Sequence, residues 1–265
     1  MDFSTRSSGE YGSPSPRRQR PDVRVGLCGF TMAMTKYASQ FPVVEIQSIF
    51  YDPPADAALL RWRDATGPEV EYTMKVWQLV THPASSPTYR RAKRNGEPPL
   101  DAGFFQDSEA VAHGWARSVA CANVLGATAM LFQCPASFSP DPVNVQRLRR
   151  FMERIERPKT SRLVWEPRGP AWVVEHSLAE AICKDLDLVY ALDPFVTPIS
   201  NCGPIYWRLH GVGGWHSSYT DADLDELHCT LAASGASGPA YVFFNNIPRV
   251  NDARRFRALL ETTPG

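Results

Sequence analysis

The chain has 265 residues, enough for one full hydrophobic core, and its 28 Lys and Arg balance its 28 Asp and Glu to a formal net charge of zero. That balance excludes a global electrostatic drive towards nucleic acid or an anionic membrane, though not a local basic patch. No apolar run approaches the roughly 20 residues needed to span a bilayer, the first residues lack the apolar core of a secretory signal, and six scattered cysteines without a Cys-x-x-Cys pair suggest reduced, packed thiols in a cytoplasmic protein.

Residues 1–22 are rich in Ser, Arg, Gly and Pro, and Arg17, Arg18 and Arg20 cluster there. With no apolar periodicity to offset the entropy of ordering, this stretch is expected to be a disordered basic tail, and 23–265 one domain. From Val23 the pattern alternates. A strand over 23–29 leads to a short helix over 31–41. A strand over 43–50 leads to a helix over 55–65, anchored by Leu59, Leu60 and Trp62. A strand over 71–81 is followed by a long polar loop over 82–107. Ser108 can cap a helix over 109–125, and 128–135 is a strand. Asp141 as N-cap with Pro142 at the first helical position starts a helix to residue 155. A strand over 162–169, a helix over 172–186 and a strand over 188–195 follow, and then an irregular 197–204 segment stands where a sixth helix would be. A strand over 205–211 leads to a helix ending at 233, opened by Thr220 with Asp223 three residues on as a capping box. A strand over 240–246 precedes a last helix, capped by Asn251 and ending at 261.

Repeated strand–helix units imply a parallel sheet covered by helices. Eight of them predict a closed (β/α)8 TIM-type barrel with a missing or degenerate sixth helix. An open doubly wound sheet is the alternative, weakened because no Gly-x-Gly-x-x-Gly turn follows the first strand.

Side chains two apart in a strand share a face. By that rule Glu166 pairs with Arg168, Arg208 with His210, and Glu45 with Gln47. Opposite charges at positions where a structural barrel layer would carry Val, Ile or Leu predict a mixed-charge pocket at the C-terminal strand ends. Tyr51, Lys75, His82, Gln133, Asp193, Asn245 and Asn246 fall at the same level. A self-neutralising salt-bridge network without further function would also satisfy these charges.

Three chemistries compete for the pocket. In the favoured one, Arg168, Arg208 and Lys75 hold a small anionic ligand, phosphate or carboxylate. Glu45, Lys75, Glu166, Asp193 and His210 are then the candidate catalytic groups, moving protons as in a hydrolase or lyase. Gln47, Tyr51, His82, Gln133, Arg168, Arg208, Asn245 and Asn246 line the ligand site. In the second, Glu45, Glu166, Asp193 and His210 bind a divalent metal for hydrolysis, against which three cations at the same level argue. In the third, Lys75 forms a Schiff base. The pattern names no cofactor and requires no metal. The loop after the third strand adds Arg90, Arg91, Lys93 and Arg94. It overhangs the site, and with Trp215 or Tyr219 stacking on a base it opens an alternative reading as a nucleic-acid-binding or nucleic-acid-processing protein.

Several motifs occur together and in order. They are Val44-Glu45-Ile46-Gln47-Ser48-Ile49-Phe50-Tyr51, Met74-Lys75-Val76 followed by Thr81-His82, and Leu131-Phe132-Gln133-Cys134-Pro135-Ala136-Ser137-Phe138. Glu166-Pro167-Arg168, Arg208-Leu209-His210-Gly211 and Phe243-Phe244-Asn245-Asn246 follow. The set resembles the signature of the YecE-like domain-of-unknown-function family (DUF 72) from Val23 to about Leu260. The resemblance implies a TIM-type barrel and no particular reaction or cofactor. The chain departs from the signature at Gln47, where Asn is usual, so the pocket geometry there is expected to differ.

Overall fold

The computed structural model describes residues 22–92, 97–199, 203–236 and 238–262. The expected tail up to residue 21, together with Lys93, Arg94 and Cys202, lies outside them. Eight strands are present: β1 Val23–Cys28, β2 Val43–Ile46, β3 Glu71–Lys75, β4 Ala129–Gln133, β5 Arg162–Glu166, β6 Val189–Leu192, β7 Ile205–Leu209 and β8 Ala240–Phe244. Each pairs in parallel with its sequence neighbour, and β8 pairs with β1 to close the barrel. The TIM-type fold is therefore as expected.

The two faces of the strands explain the closure. Outward-facing Leu27, Val44, Met74, Phe132, Trp165, Trp207 and Phe244 belong to one large apolar cluster with helix residues such as Trp115, Phe151 and Leu227. The inward positions carry smaller or mixed side chains, among them Val43, Ala129, Leu131, Val164, Ala191 and Tyr206. That β3 and β7 face each other across the interior is shown by Thr73 Oγ1 and Tyr206 OH, 2.9 Å apart. Further along the same inward rows come Glu45, Lys75, Gln133, Glu166 and Arg208, so the polar groups collect at one end.

The helices are α1 Met34–Ala38, α2 Ser48–Tyr51, α3 Asp56–Thr66, α4 Glu109–Leu125, α5 Pro142–Arg154, α6 Pro170–Val174, α7 His176–Asp185, α8 Asp221–Ala233 and α9 Arg249–Thr262. Among the described residues no helix separates β6 from β7. None is long and apolar enough to cross a membrane.

Several boundaries differ from expectation. The 43–50 strand stops at Ile46, because Gln47 turns helical (φ −93°, ψ −30°) and Ile49 and Phe50 bury as part of α2. The 71–81 strand stops at Lys75, and Gln78 N–H then donates to Phe50 O (2.9 Å), which pins the turn to α2. Over 31–41 only the central five residues are helical. The 172–186 helix is two helices meeting at Glu175. Leu60 is exposed rather than an anchor. Asn251 lies inside α9 and does not cap it. The loop over 82–107 contains a short 3-10 turn, Pro87–Arg91.

Candidate functional site

Arg208 is the last inward-facing residue of β7 and points across the barrel into two carboxylates. Its Nε donates to Glu45 Oε2 (3.0 Å), its Nη2 to Glu45 Oε1 (2.9 Å) and its Nη1 to Glu166 Oε2 (2.6 Å). Gln133 Oε1 accepts a further bond from Nη1 at 3.3 Å. Glu45 is 0 % exposed and Arg208 1 %. Burial alone would push the Glu45 carboxyl up, but the charge and hydrogen bonds of Arg208, joined by Tyr206 and Cys28, hold it below the usual carboxylate range. For Arg208 burial acts downward, and the charges of Glu166 and Glu45 more than reverse it. Tyr206 OH donates to Glu45 Oε2 (2.7 Å), Cys28 Sγ to Glu45 Oε1 (3.2 Å), and the Gln47 amide to the same oxygen. Glu45 and Arg208 are thus saturated. Removing one partner would strand the others at a cost of about 3–5 kcal/mol.

Lys75, at the end of β3, is treated differently. It is 4 % exposed, and its Nζ sits 3.7 Å from the centre of the Phe50 ring. Both nearby carboxylates direct oxygens at Arg208, and among the described residues Lys75 makes no ion pair. Burial and the Arg208 charge outweigh the pull of Glu45 and Glu166 and bring its pKa down to about 7. His82 packs edge-on against the same Phe50 ring (4.8 Å between centroids) and shares a hydrogen bond with Thr81 Oγ1 at 2.8 Å. Burial, then Lys75 and Arg168, lower its pKa to about 3, so the ring is neutral. Above them, Arg91 Nη1 donates to Tyr51 OH (3.1 Å). Arg168 is exposed, with its Nε 3.8 Å from Glu166 Oε1.

On the β6–β7 side, Asp193 Oδ2 accepts from the His210 backbone N–H at 2.9 Å and lies 3.3 Å from His210 Nδ1. The carboxylate therefore orients the imidazole, and His210 Nε2 is buried with no hydrogen-bond partner. Asn245 is half-buried at the rim of β8, its backbone N–H bonded to Leu209 O (2.8 Å). Asn246 turns away: its amide donates to Asp252 Oδ2 (2.6 Å) and Ser217 O (2.9 Å), which ties the end of β8 to α9. Tyr219 is also structural. It is buried, accepts the Gly211 N–H at its OH (2.7 Å), and packs on Phe244. Trp215 remains exposed at the rim. Arg90 is exposed on the Pro87–Arg91 turn.

Direct contacts thus join Glu45, Gln47, Gln133, Glu166, Arg168 and Arg208, while Lys75 and His82 feel the same charges. Cys28, Phe50, Thr73 and Tyr206 belong to the site and were not anticipated. Tyr206 and Thr73 share the inward parity of Arg208 and Lys75, which is the signal that would have found them.

The family model described as "Protein of unknown function DUF72" matches residues 30–264. The chain belongs to the DUF72 family. Its fold is similar to that of a DUF72 family protein from Enterococcus faecalis V583, with 19% identity, a TM-score of 0.67, and coverage of 92% of this chain and 99% of that one. A DUF72 family protein from Thermotoga maritima MSB8 is similar at 19% identity and TM-score 0.67, covering 91% and 99%. A D-tagatose 3-epimerase-like protein shares the barrel at 17% identity and TM-score 0.55, covering 90% and 96%. At these identities the likeness is one of fold. No curated protein matches.

Within this DUF72 barrel the donor set does not suit a metal. Among the described residues no three His, Cys, Asp or Glu side chains gather as a metal-holding group. Arg208 occupies the space between Glu45 and Glu166 where a divalent ion would have to sit, and Asp193 is already bonded to His210. The chemistry open to the site is proton transfer, amine chemistry and the binding of an anion.

Proposed function

We propose that the barrel mouth binds a small anionic ligand, carboxylate or phosphate, and exchanges protons with it. The observation that carries this reading is Lys75: a buried lysine on β3 that makes no ion pair among the described residues, beside an Arg208 that makes two. An incoming anion supplies the charge that Lys75 lacks. Arg168, exposed and only loosely paired with Glu166, offers a forked donor at the rim. Lys75, poised to titrate near pH 7, gives or takes the proton, since acid–base catalysis is most effective with a pKa close to the working pH. Glu166 and the Asp193–His210 pair are the further proton carriers. Glu45 and Arg208 form the rigid floor beneath them rather than the ligand clamp.

The described thiols are free, four of them buried, which suits a reducing cytoplasmic setting. Thermal melts with millimolar inorganic phosphate or succinate test the reading. The ligand should raise the Tm of the wild-type chain, because a ligand at 100 times its Kd stabilises by about 2.7 kcal/mol. The rise should vanish in Lys75→Met and shrink in Arg168→Ala. A wild-type Tm indifferent to both anions refutes the proposal.

A further inference from the structure

We infer that the ligand of this site is a carbonyl compound, a small oxo-acid or phosphorylated aldehyde or ketone, captured as an imine on Lys75 Nζ. The inference rests on the proposed anion site and names its substrate class. Four features of Lys75 point the same way. Among the described residues the ε-amine makes no ion pair that would hold it as a cation, because Glu45 and Glu166 pair with Arg208, and a protonated amine is no nucleophile. Lys75 is the last residue of β3, at the same end of the barrel as the exposed Arg168, and keeps 4 % of its surface exposed. The Phe50 ring face lies 3.7 Å from Nζ, which stabilises the positive charge of a protonated imine as well as that of an ammonium. Neutral His82, with its edge on the same ring, and the carboxylate of Glu166 stand within electrostatic reach of Lys75.

The step balances without a further reagent. The unprotonated amine adds to the carbonyl carbon, forming a C–N bond while the C=O π pair moves to oxygen. The resulting alkoxide takes one proton, and the nitrogen loses one. A second proton on that oxygen lets it leave as water while the nitrogen lone pair forms C=N. The net change is amine plus carbonyl plus one proton to iminium plus water. Lys75 is the only buried lysine among the described residues, since Lys36, Lys159 and Lys184 are exposed, so each site reports separately.

The full chain is incubated with pyruvate or acetone and cyanoborohydride between pH 6 and 9, and the reduced adducts are located by peptide mass spectrometry. Pyruvate should modify Lys75 at least tenfold faster than the exposed lysines at pH 7.4. The rate should be half-maximal near pH 7. Lys75→Arg should remove that adduct and leave labelling of Lys36, Lys159 and Lys184 unchanged. Labelling of Lys75 no faster than that of the exposed lysines overturns the inference, and the wild-type measurement alone decides this if the variant misfolds. Excess phosphate separates the two readings. If acetone and pyruvate label Lys75 equally fast and phosphate does not slow either, the imine stands and the anion site falls. If phosphate raises the Tm through Lys75 but no adduct forms, the anion site stands and the imine falls.

Discussion

Lys75 and Arg208 are the last inward-facing residues of strands that face each other across one barrel, yet they solve burial in different ways. Arg208 cannot lose its proton under ordinary conditions, so the fold surrounds it with Glu45, Glu166 and Gln133. Lys75 can lose its proton, and the fold lets it. The consequence for stability has a definite sign. The unfolded chain keeps the Lys75 proton up to its ordinary value of 10.5, whereas the folded chain releases it at about 7. Between those values the unfolded state binds more protons, so the contribution of Lys75 to stability rises with pH across that window and is most unfavourable below it. The gap corresponds to an upper limit on the order of 5 kcal/mol. Lys75→Met, which keeps the length and removes the charge, should therefore stabilise the protein by roughly 1–3 kcal/mol at pH 7, with the gain narrowing towards pH 10. Urea melts of both chains at pH 6, 8 and 10 measure it. A difference that stays constant over that range would show that Lys75 does not titrate inside the fold.

Among the elements, those with local chemical signals were legible in the sequence. Ser108 caps α4, Asp141 with Pro142 opens α5, and Thr220 with Asp223 forms the capping box of α8. Strand ends were not, because apolar residues run on past the last paired positions, to Ile49 and Phe50 after β2 and to Leu79 and Val80 after β3, and periodicity alone cannot say where pairing stops. Tertiary contact decides it: Phe50 and Gln78 bond to each other instead of extending β2 and β3. The segment before α4 is held by the same kind of contact. Gly103 N–H donates to Leu79 O (2.8 Å) and Phe105 N–H to Val80 O (3.0 Å), which lays this chain against the turn that carries His82. Gly103 has φ +87°, and a Cβ there would lie 2.2 Å from the His82 carbonyl carbon. Gly67 has a similar φ, +74°, with nothing within 4 Å. Gly67→Ala should cost only the glycine-favoured backbone (φ +74°, ψ 179°), about 1–3 kcal/mol. Gly103→Ala should cost that plus about 1–3 kcal/mol of overpacking, and should loosen hydrogen-exchange protection at Val80 and His82. Equal costs for the two variants would mean the turn yields freely, and that the wall of the site is softer than its contacts indicate.

At the scale of the molecule, the inward-facing polar residues were readable because alternation in a strand is rigid. Glu45, Lys75, Glu166 and Arg208 follow from it directly. Their division of labour did not follow, since which carboxylate meets which cation depends on the register across a closed barrel, and Tyr206 and Thr73 read as ordinary core residues until that register is known. The charge pattern of the whole chain also bears on the remaining alternative, a nucleic-acid interface built on Arg90, Arg91, Lys93 and Arg94. The chain has no net charge. Arg91 is engaged with Tyr51 at the rim, and Arg90 projects from a short turn into solvent. A phosphate backbone needs a continuous run of such cations, and its affinity falls steeply with salt, roughly as 0.9 powers of salt concentration for each phosphate contacted on duplex DNA. The small-ligand reading predicts otherwise. Replacing all four basic residues with Gln should leave a phosphate-induced Tm rise in place, since exposed charges such as Arg90 contribute at most on the order of 1 kcal/mol each. Lys75→Met should abolish that rise while leaving any gel-shift of duplex DNA or RNA unchanged. If instead the four-residue variant loses a salt-sensitive gel shift that the wild type shows at 50 mM salt, and Lys75→Met binds phosphate normally, the basic turn is the functional surface and the buried charges of the barrel are its scaffold.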